Sequence, residues 1–257
     1  MYIMNLKLTL NSPLEQFEII LFIFNDSFLG RNFFISNTTI FLLIGALLIT
    51  FFTSISYCEK LVIPNKWQFL MESLYGITIS MILDNIGLKG EKYLPLLFTL
   101  FLLLLFCNLV GMVPYTFTVT SHIAFTFGLA FALYIGINII GIRTHGIQFL
   151  SIFLPKGVPF FIIPLLVVIE LISYIIKVFT LAIRLFANIT SGHTLLKIIA
   201  SFGFKLGALQ SFMSIFAFIP LIILFGLTGL ELGIAILQAY VFALLTCIYL
   251  NDVLTMH

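Results

Sequence analysis

The run LAIRLFANITSGH, residues 181–193, places an arginine, an asparagine and a histidine in one of the most apolar parts of the chain. Arg184 cannot shed its proton in a protein. A fixed charge near a bilayer centre costs from a few to about 10 kcal/mol or more. Either the segment is not in a membrane, or the charge is there for a reason. Upstream, Glu170, Ser173 and Lys177 interrupt the same apolar pattern, and downstream Glu231 and Gln238 interrupt another. Glu170, Lys177 and Arg184 are spaced by seven. At about 100° per residue, seven positions drift by only about 20°, so the three form one stripe. Asn188, four after Arg184, joins it. His193, nine after Arg184, lies about half a turn round and faces something else. Glu231 and Gln238, again seven apart, share a face.

These types suit proton movement. Imidazole and carboxylate exchange protons when their surroundings allow it, so His193 and Glu231 are candidate relays. Arg184 is instead a fixed positive barrier, which stops leakage and attracts a mobile carboxylate. A barrier flanked by two relays makes two half-channels. Something must carry protons round the barrier, and no spare intramembrane carboxylate is obvious in this chain. The carrier is therefore expected on a partner. The structural alternative is a set of internal salt bridges, with Glu170 reaching Lys177. Snorkelling serves only near a helix end, and Arg184 is more than 15 residues from either end of its apolar stretch.

Composition decides the environment. The 257 residues are 61% hydrophobic and 9% charged, against roughly 25% charged in soluble domains. A mean hydropathy of +1.22 leaves too little polar surface to cover a water-soluble globule. The class expected is an all-α, polytopic membrane protein. The net charge of +2 is spread out, with no basic stripe for nucleic acid. Cys58, Cys107 and Cys247 are far apart, in or beside apolar runs, which argues against a disulfide framework or a zinc site. No metal or cofactor is expected. His145 and His257 belong to no cluster and read as solvent-facing. At the N-terminus, Glu15 and Glu18 stand where a signal peptide would carry positive charge. Thirty Phe and many Ile fit an A/T-rich coding genome, as in an organelle.

The elements follow from hydropathy. Residues 1–35 read as an N-terminal segment outside the membrane and 36–57 as a first span. Residues 58–93 hold a loop and a helix over 66–84, in which Trp67, Leu70, Leu74 and Ile77 recur at helical spacing. That pattern predicts an amphipathic helix at the interface, with a full span as the alternative. Residues 94–142 hold two spans, 94–113 and 120–142, and 143–158 connect onward. Residues 159–257 are unusual: helical patterns run from about 159 to 200 and from about 209 to 250, with a kink expected at Pro220. A helix of about 40 residues is roughly 60 Å long, twice the roughly 30 Å hydrocarbon core. Neither stretch contains a polar turn, so the expectation is a strongly tilted helical hairpin and about five crossings in all. Lys60, Lys66, Lys89, Lys92, Arg143 and Lys156 fall on one side and Lys7, Arg31, Lys197 and Lys205 on the other. This bias places the N-terminus outside and the C-terminus inside.

The residues also carry a resemblance. RLFANITSGH, with Asn four and His nine after the Arg, resembles the signature of subunit a of F-type ATP synthases. ELGIAILQAYVFALLTCIYLND is similar to that family's last helix, with Glu231 and Gln238 on its motif. PLLFTLFLLLLFCNLVGMVPYTFTVTSHIAFTFG and SPLEQFEI resemble the mitochondrial branch. The match runs over about residues 11 to 252, and the first ten residues are covered least. The resemblance implies a stator subunit in the mitochondrial inner membrane beside a rotating c-ring, each ring subunit bearing one membrane-embedded carboxylate. It implies Arg184 as the essential arginine opposite that carboxylate. His193 and Glu231 would line the half-channel from the intermembrane space, with Asn108 and His122 near its mouth. Glu170 and Ser173 would fall near the matrix-side exit, and Asn188 and Gln238 beside the arginine. Lys177 falls where many relatives have a lysine. Other membrane and peripheral-stalk subunits and lipids are implied as partners. No nucleotide site is expected here, since the chain lacks GxxxxGK[ST]. Two readings from other classes stay open: a secondary transporter binding a small anion at Arg184, although repeated halves are not evident, and a structural membrane subunit without a transport role.

Overall fold

The computed structural model describes residues 14–26, 31–58, 64–113, 116–146, 148–149, 162–207 and 218–255. His257 and the first ten residues lie outside them. The molecule is an all-α membrane protein with a small N-terminal addition. Strands β1 (Leu21–Asp26) and β2 (Arg31–Ser36) pair antiparallel, Leu21 opposite Ser36. The helices are α1 (Asn37–Cys58), α2 (Lys66–Asn85), α3 (Leu94–Gly111), α4 (Ile123–His145), α5 (Ile163–Gly207) and α6 (Phe218–Thr255). Among the described residues five helices are long and apolar enough to cross a membrane, all but α2. The β-hairpin is not anticipated by the sequence reading.

α3 is the central helix. Its faces bury Leu97, Leu100, Phe101, Leu102, Leu104 and Leu105, which explains a sequence that is apolar all round rather than striped. α6 packs on α3 and on α5, and α4 packs on α5. Lipid tails are as apolar as leucine, so association rests on close packing rather than on water exclusion, and small residues serve it. Ala182, Ala235, Ala239 and Ala243 are wholly buried where these helices meet. The opposite faces carry exposed Leu43, Leu47 and Phe51 on α1, and Leu165, Ile172 and Ile176 on α5.

α5 holds 45 residues without a break and α6 holds 38, about 68 and 57 Å of helix. The two run antiparallel. A Cβ on Gly203 would lie 3.2 Å from the Pro220 ring, His193 faces Glu231, and Lys177 pairs with Asp252.

On α2, Trp67, Leu70 and Ile77 of the expected apolar face are exposed, and the face packed on the protein is Met71, Thr78, Met81 and Ile82 with Leu74 beside them. The hydroxyl of Thr78 donates to the Tyr75 carbonyl at 2.8 Å, so a polar residue can sit on the packed face. The kink expected at Pro220 falls at the edge of the described residues: Pro220 is the third described residue of α6, and residues 208–217 lie outside them. His145 is not simply solvent-facing, because its Nε2 lies 3.3 Å from the Leu254 carbonyl at the end of α6. α4 stops there at Gly146, whose φ of 59° suits glycine.

Beside that stop, a Cβ on Gly141 would lie 2.6 Å from Val253 Cγ1 and would also clash with Phe149. Gly141→Val should therefore force α4 and α6 apart at this end and destabilise the fold by about 1–3 kcal/mol. A lowered melting temperature of the purified assembly checks this; an unchanged one contradicts the packing.

Candidate functional site

Glu231 is the polar centre of the upper hairpin. It is 4% exposed despite its carboxylate. The helices can close over it because α5 presents Gly192 there: a Cβ at that position would lie 2.7 Å from Glu231 Oε1. The next residue, His193, directs Nδ1 at the same oxygen from 3.6 Å, a distance short of a hydrogen bond. His193 Nε2 and both Glu231 oxygens have no hydrogen-bond partner among the described residues. A cleft of about 210 Å³ opens beside them, lined by Asn188, Ser191, Gly192, Glu231 and Ile234 with leucines around.

Further polar groups gather on elements packed against this end of α5. Asn108 of α3 is buried and its Nδ2 donates to the Ala235 carbonyl at 3.0 Å, one turn after Glu231. Its Oδ1 has no partner among the described residues, nor have Thr120 Oγ1 and His122 Nε2. The 3-10 turn Val119–Ser121 that carries Thr120 is wholly buried and lies against α3 and α5. Thr190 Oγ1 donates to the Ser121 carbonyl at 3.4 Å, and the His122 ring stacks on Phe117 at 5.0 Å. Buried polar groups are nearly always paired with protein or ordered water, so this concentration of unpaired atoms marks a polar region.

A second polar cluster lies at the other end of the hairpin. Lys177 Nζ is 3.5 Å from Asp252 Oδ2 and 5.3 Å from the Tyr249 ring centre. The lysine thus pairs across to α6 rather than along α5 to Glu170. Tyr174 donates its hydroxyl to Asn138 Oδ1 at 2.7 Å, and Asn138 Nδ2 donates to the Tyr134 carbonyl. Glu170 is half-buried, Ser173 is exposed, and Glu170 has no ion pair among the described residues.

Arg184 lies between the clusters, about 10 Å along the helix from Lys177 and about 14 Å from His193 at 1.5 Å per residue. It is exposed, on the stripe of α5 that also carries Lys177, Thr180 and Asn188. Among the described residues it has neither an ion-pair partner nor a hydrogen bond. Asn188 is half-buried and lines the cleft beside Glu231; Gln238 is buried on α6. The structure thus brings His193, Glu231 and Asn188 together and sets Arg184 on an outer face. It places Asn108 and His122 around the first cluster, and Glu170 and Ser173 on the α5 turns that lead to the second.

Sequence reasoning passed over Gly192, Thr120 and Asp252. Gly192 adjoins His193, and a glycine there signals close approach. Asp252 was visible as the one acid near the end of α6, and antiparallel register from His193–Glu231 brings it opposite Lys177. Thr120 carried no signal.

Comparison with known proteins agrees over nearly the full length. The family model described as ATP synthase A chain matches residues 38–251. An ATP synthase subunit a from Chondrus crispus is 61% identical over 96% of this chain and 98% of its own. Those of Marchantia polymorpha and Brassica napus are 44% and 45% identical, over 96% and 99% of this chain and 99% and 100% of theirs. With that coverage added to five spans and a charged, antiparallel hairpin, the chain belongs to the ATP synthase A chain family.

Proposed function

We propose that this chain is the stator subunit of the proton-translocating membrane sector of ATP synthase, in the mitochondrial inner membrane. It forms two offset half-channels that deliver protons to a rotating c-ring and collect them again. The observation that carries the reading is Arg184: a permanent charge, exposed on α5 between two separate polar clusters, with no ion-pair partner among the described residues. An unpaired cation on a face that would meet lipid is strongly disfavoured. A partner's carboxylate opposite it would remove that cost.

The cycle follows from charge. A ring carboxylate that faces lipid is neutral, because an ionised one is costly there. Beside Arg184 the ionised form is favoured, and the proton leaves by the matrix-side path on the Glu170 and Ser173 side of α5. The ring carboxylate then takes a new proton from the path of His193 and Glu231, with Asn108 and His122 toward the intermembrane space. Asn188 and Gln238 flank the arginine and shape its polar surroundings. Because the arginine keeps its charge and its proton, no proton passes directly from one path to the other, and transfer requires rotation. The transmembrane potential contributes about 2.3 kcal/mol per charge per 100 mV, so several protons drive each ATP made elsewhere in the complex. This chain itself binds no nucleotide in the scheme.

Two outcomes test the reading. Arg184→Ala should abolish ATP-driven acidification of vesicles carrying the complex while leaving the amount of assembled complex unchanged; normal pumping would sink the proposal. Gly192→Val should press on the Glu231 carboxylate and slow passive proton flux about tenfold, ~1.4 kcal/mol of barrier, with Gly192→Ala falling between. Flux through the membrane sector, measured with a pH-sensitive dye after removal of the soluble head, reads this directly.

A further inference from the structure

The chain ahead of α1 reaches back to the His193 site. Asn37, the first residue of α1, fastens residues 18–20 by three hydrogen bonds. Its backbone N–H donates to the Ile20 carbonyl at 3.2 Å. Its Nδ2 donates to the Glu18 carbonyl at 3.1 Å, and its Oδ1 accepts from the Ile20 N–H at 3.3 Å. The β-hairpin closes at Leu21 and Ser36 just beyond this clamp. Upstream of it, the 3-10 turn Glu15–Phe17 is closed by the Phe17 N–H on the Leu14 carbonyl and the Glu18 N–H on the Glu15 carbonyl. Leu14, Ile19 and Ile20 are exposed, whereas Phe17 is half-buried. Its ring meets the His193 imidazole edge to face, with centroids 6.3 Å apart and planes at 72°.

His193 therefore has Glu231 against Nδ1 and an aromatic ring against another side. The final torsion of histidine is broad and roughly two-fold, so packing must choose which nitrogen faces the carboxylate. Gly192, beside it, has no side chain to do so. We propose that Phe17 is a positioning residue for proton transfer: a strap clamped by Asn37 sets the aromatic ring against His193 and holds its imidazole toward Glu231. Edge-to-face contact uses the positive ring edge against a π face, so the effect needs an aromatic ring and not merely volume. The inference rests on the reading of His193 and Glu231 as one proton path.

The experiment reconstitutes the whole ATP synthase in liposomes and then, after removal of the soluble head, reads passive proton flux through the membrane sector per assembled complex. Phe17→Ala and Phe17→Leu should each lower flux about tenfold, since small misplacement of reacting groups is amplified in rate, while Phe17→Tyr stays near the parent. Asn37→Ala should fall part of the way, and Asn37→Ala combined with Phe17→Ala should be no slower than Phe17→Ala alone, because both act through one contact. Full flux in Phe17→Leu overturns the proposal, leaving only filled space; so does a double variant slowed by the product of its parts. If Phe17→Ala fails to assemble, the contrast of Leu with Tyr decides. His193→Ala separates the two ideas: unchanged flux there removes the proton path itself, whereas lost flux there with full flux in Phe17→Leu removes only the strap.

Discussion

The close approach of α5 to α6 is the constraint on which the rest depends. Within lipid, two helices gain little from excluding water, so their contact must be earned by fit. Gly192 lets α5 close over the Glu231 carboxylate, and wholly buried Ala182, Ala235, Ala239 and Ala243 bring the backbones of α5, α6 and α3 together. The contacts of Gly203 with Pro220, His193 with Glu231 and Lys177 with Asp252 fix one antiparallel register along most of α5. A slip of one residue would turn His193 from the carboxylate by about 100°.

From that register the distribution of polarity follows. Each helix is far longer than the apolar thickness of a bilayer, so one continuous pair of helices carries a polar cluster toward each end. Arg184 is left between them on the outer face. The two clusters differ in chemistry. Around Lys177 the groups are matched: an ammonium with a carboxylate, a phenol with an amide. Around Glu231 they are not, and oxygen and nitrogen atoms of Asn108, Thr120, His122, His193 and Glu231 lack partners among the described residues. Matched groups hold helices together. Unmatched groups in a polar pocket suit exchange with water and protons, which is the use proposed for them.

The remaining elements serve that arrangement. α3 supplies the apolar core and tethers α6 through Asn108 and the Ala235 carbonyl. The buried turn Val119–Ser121 lies against both α3 and α5. The N-terminal segment, which the hydropathy pattern marked only as lying outside the spans, comes to the same site through Phe17.

The sequence by itself determined the class, the five spans and the identity of the charged residues. Apolar length and the cost of charge in lipid are local properties that no packing can reverse. Periodicity also separated the Arg184 stripe from His193, because residues on one helix keep their angular order in any fold. The tertiary structure decided what those residues face. Helical spacing on α2 marked Trp67, Leu70 and Ile77 as an apolar face, and those residues stay exposed, while the neighbouring helices pack on Met71, Thr78, Met81 and Ile82. Glu170 and Lys177 looked like a pair along one helix, yet Asp252 of α6 takes the lysine. Likewise the 3.6 Å approach of His193 to Glu231 depends on Gly192 and on the register of two helices that brings together residues 38 apart in the chain. Contacts between distant segments depend on shape at the interface, and no single stretch of sequence contains that shape.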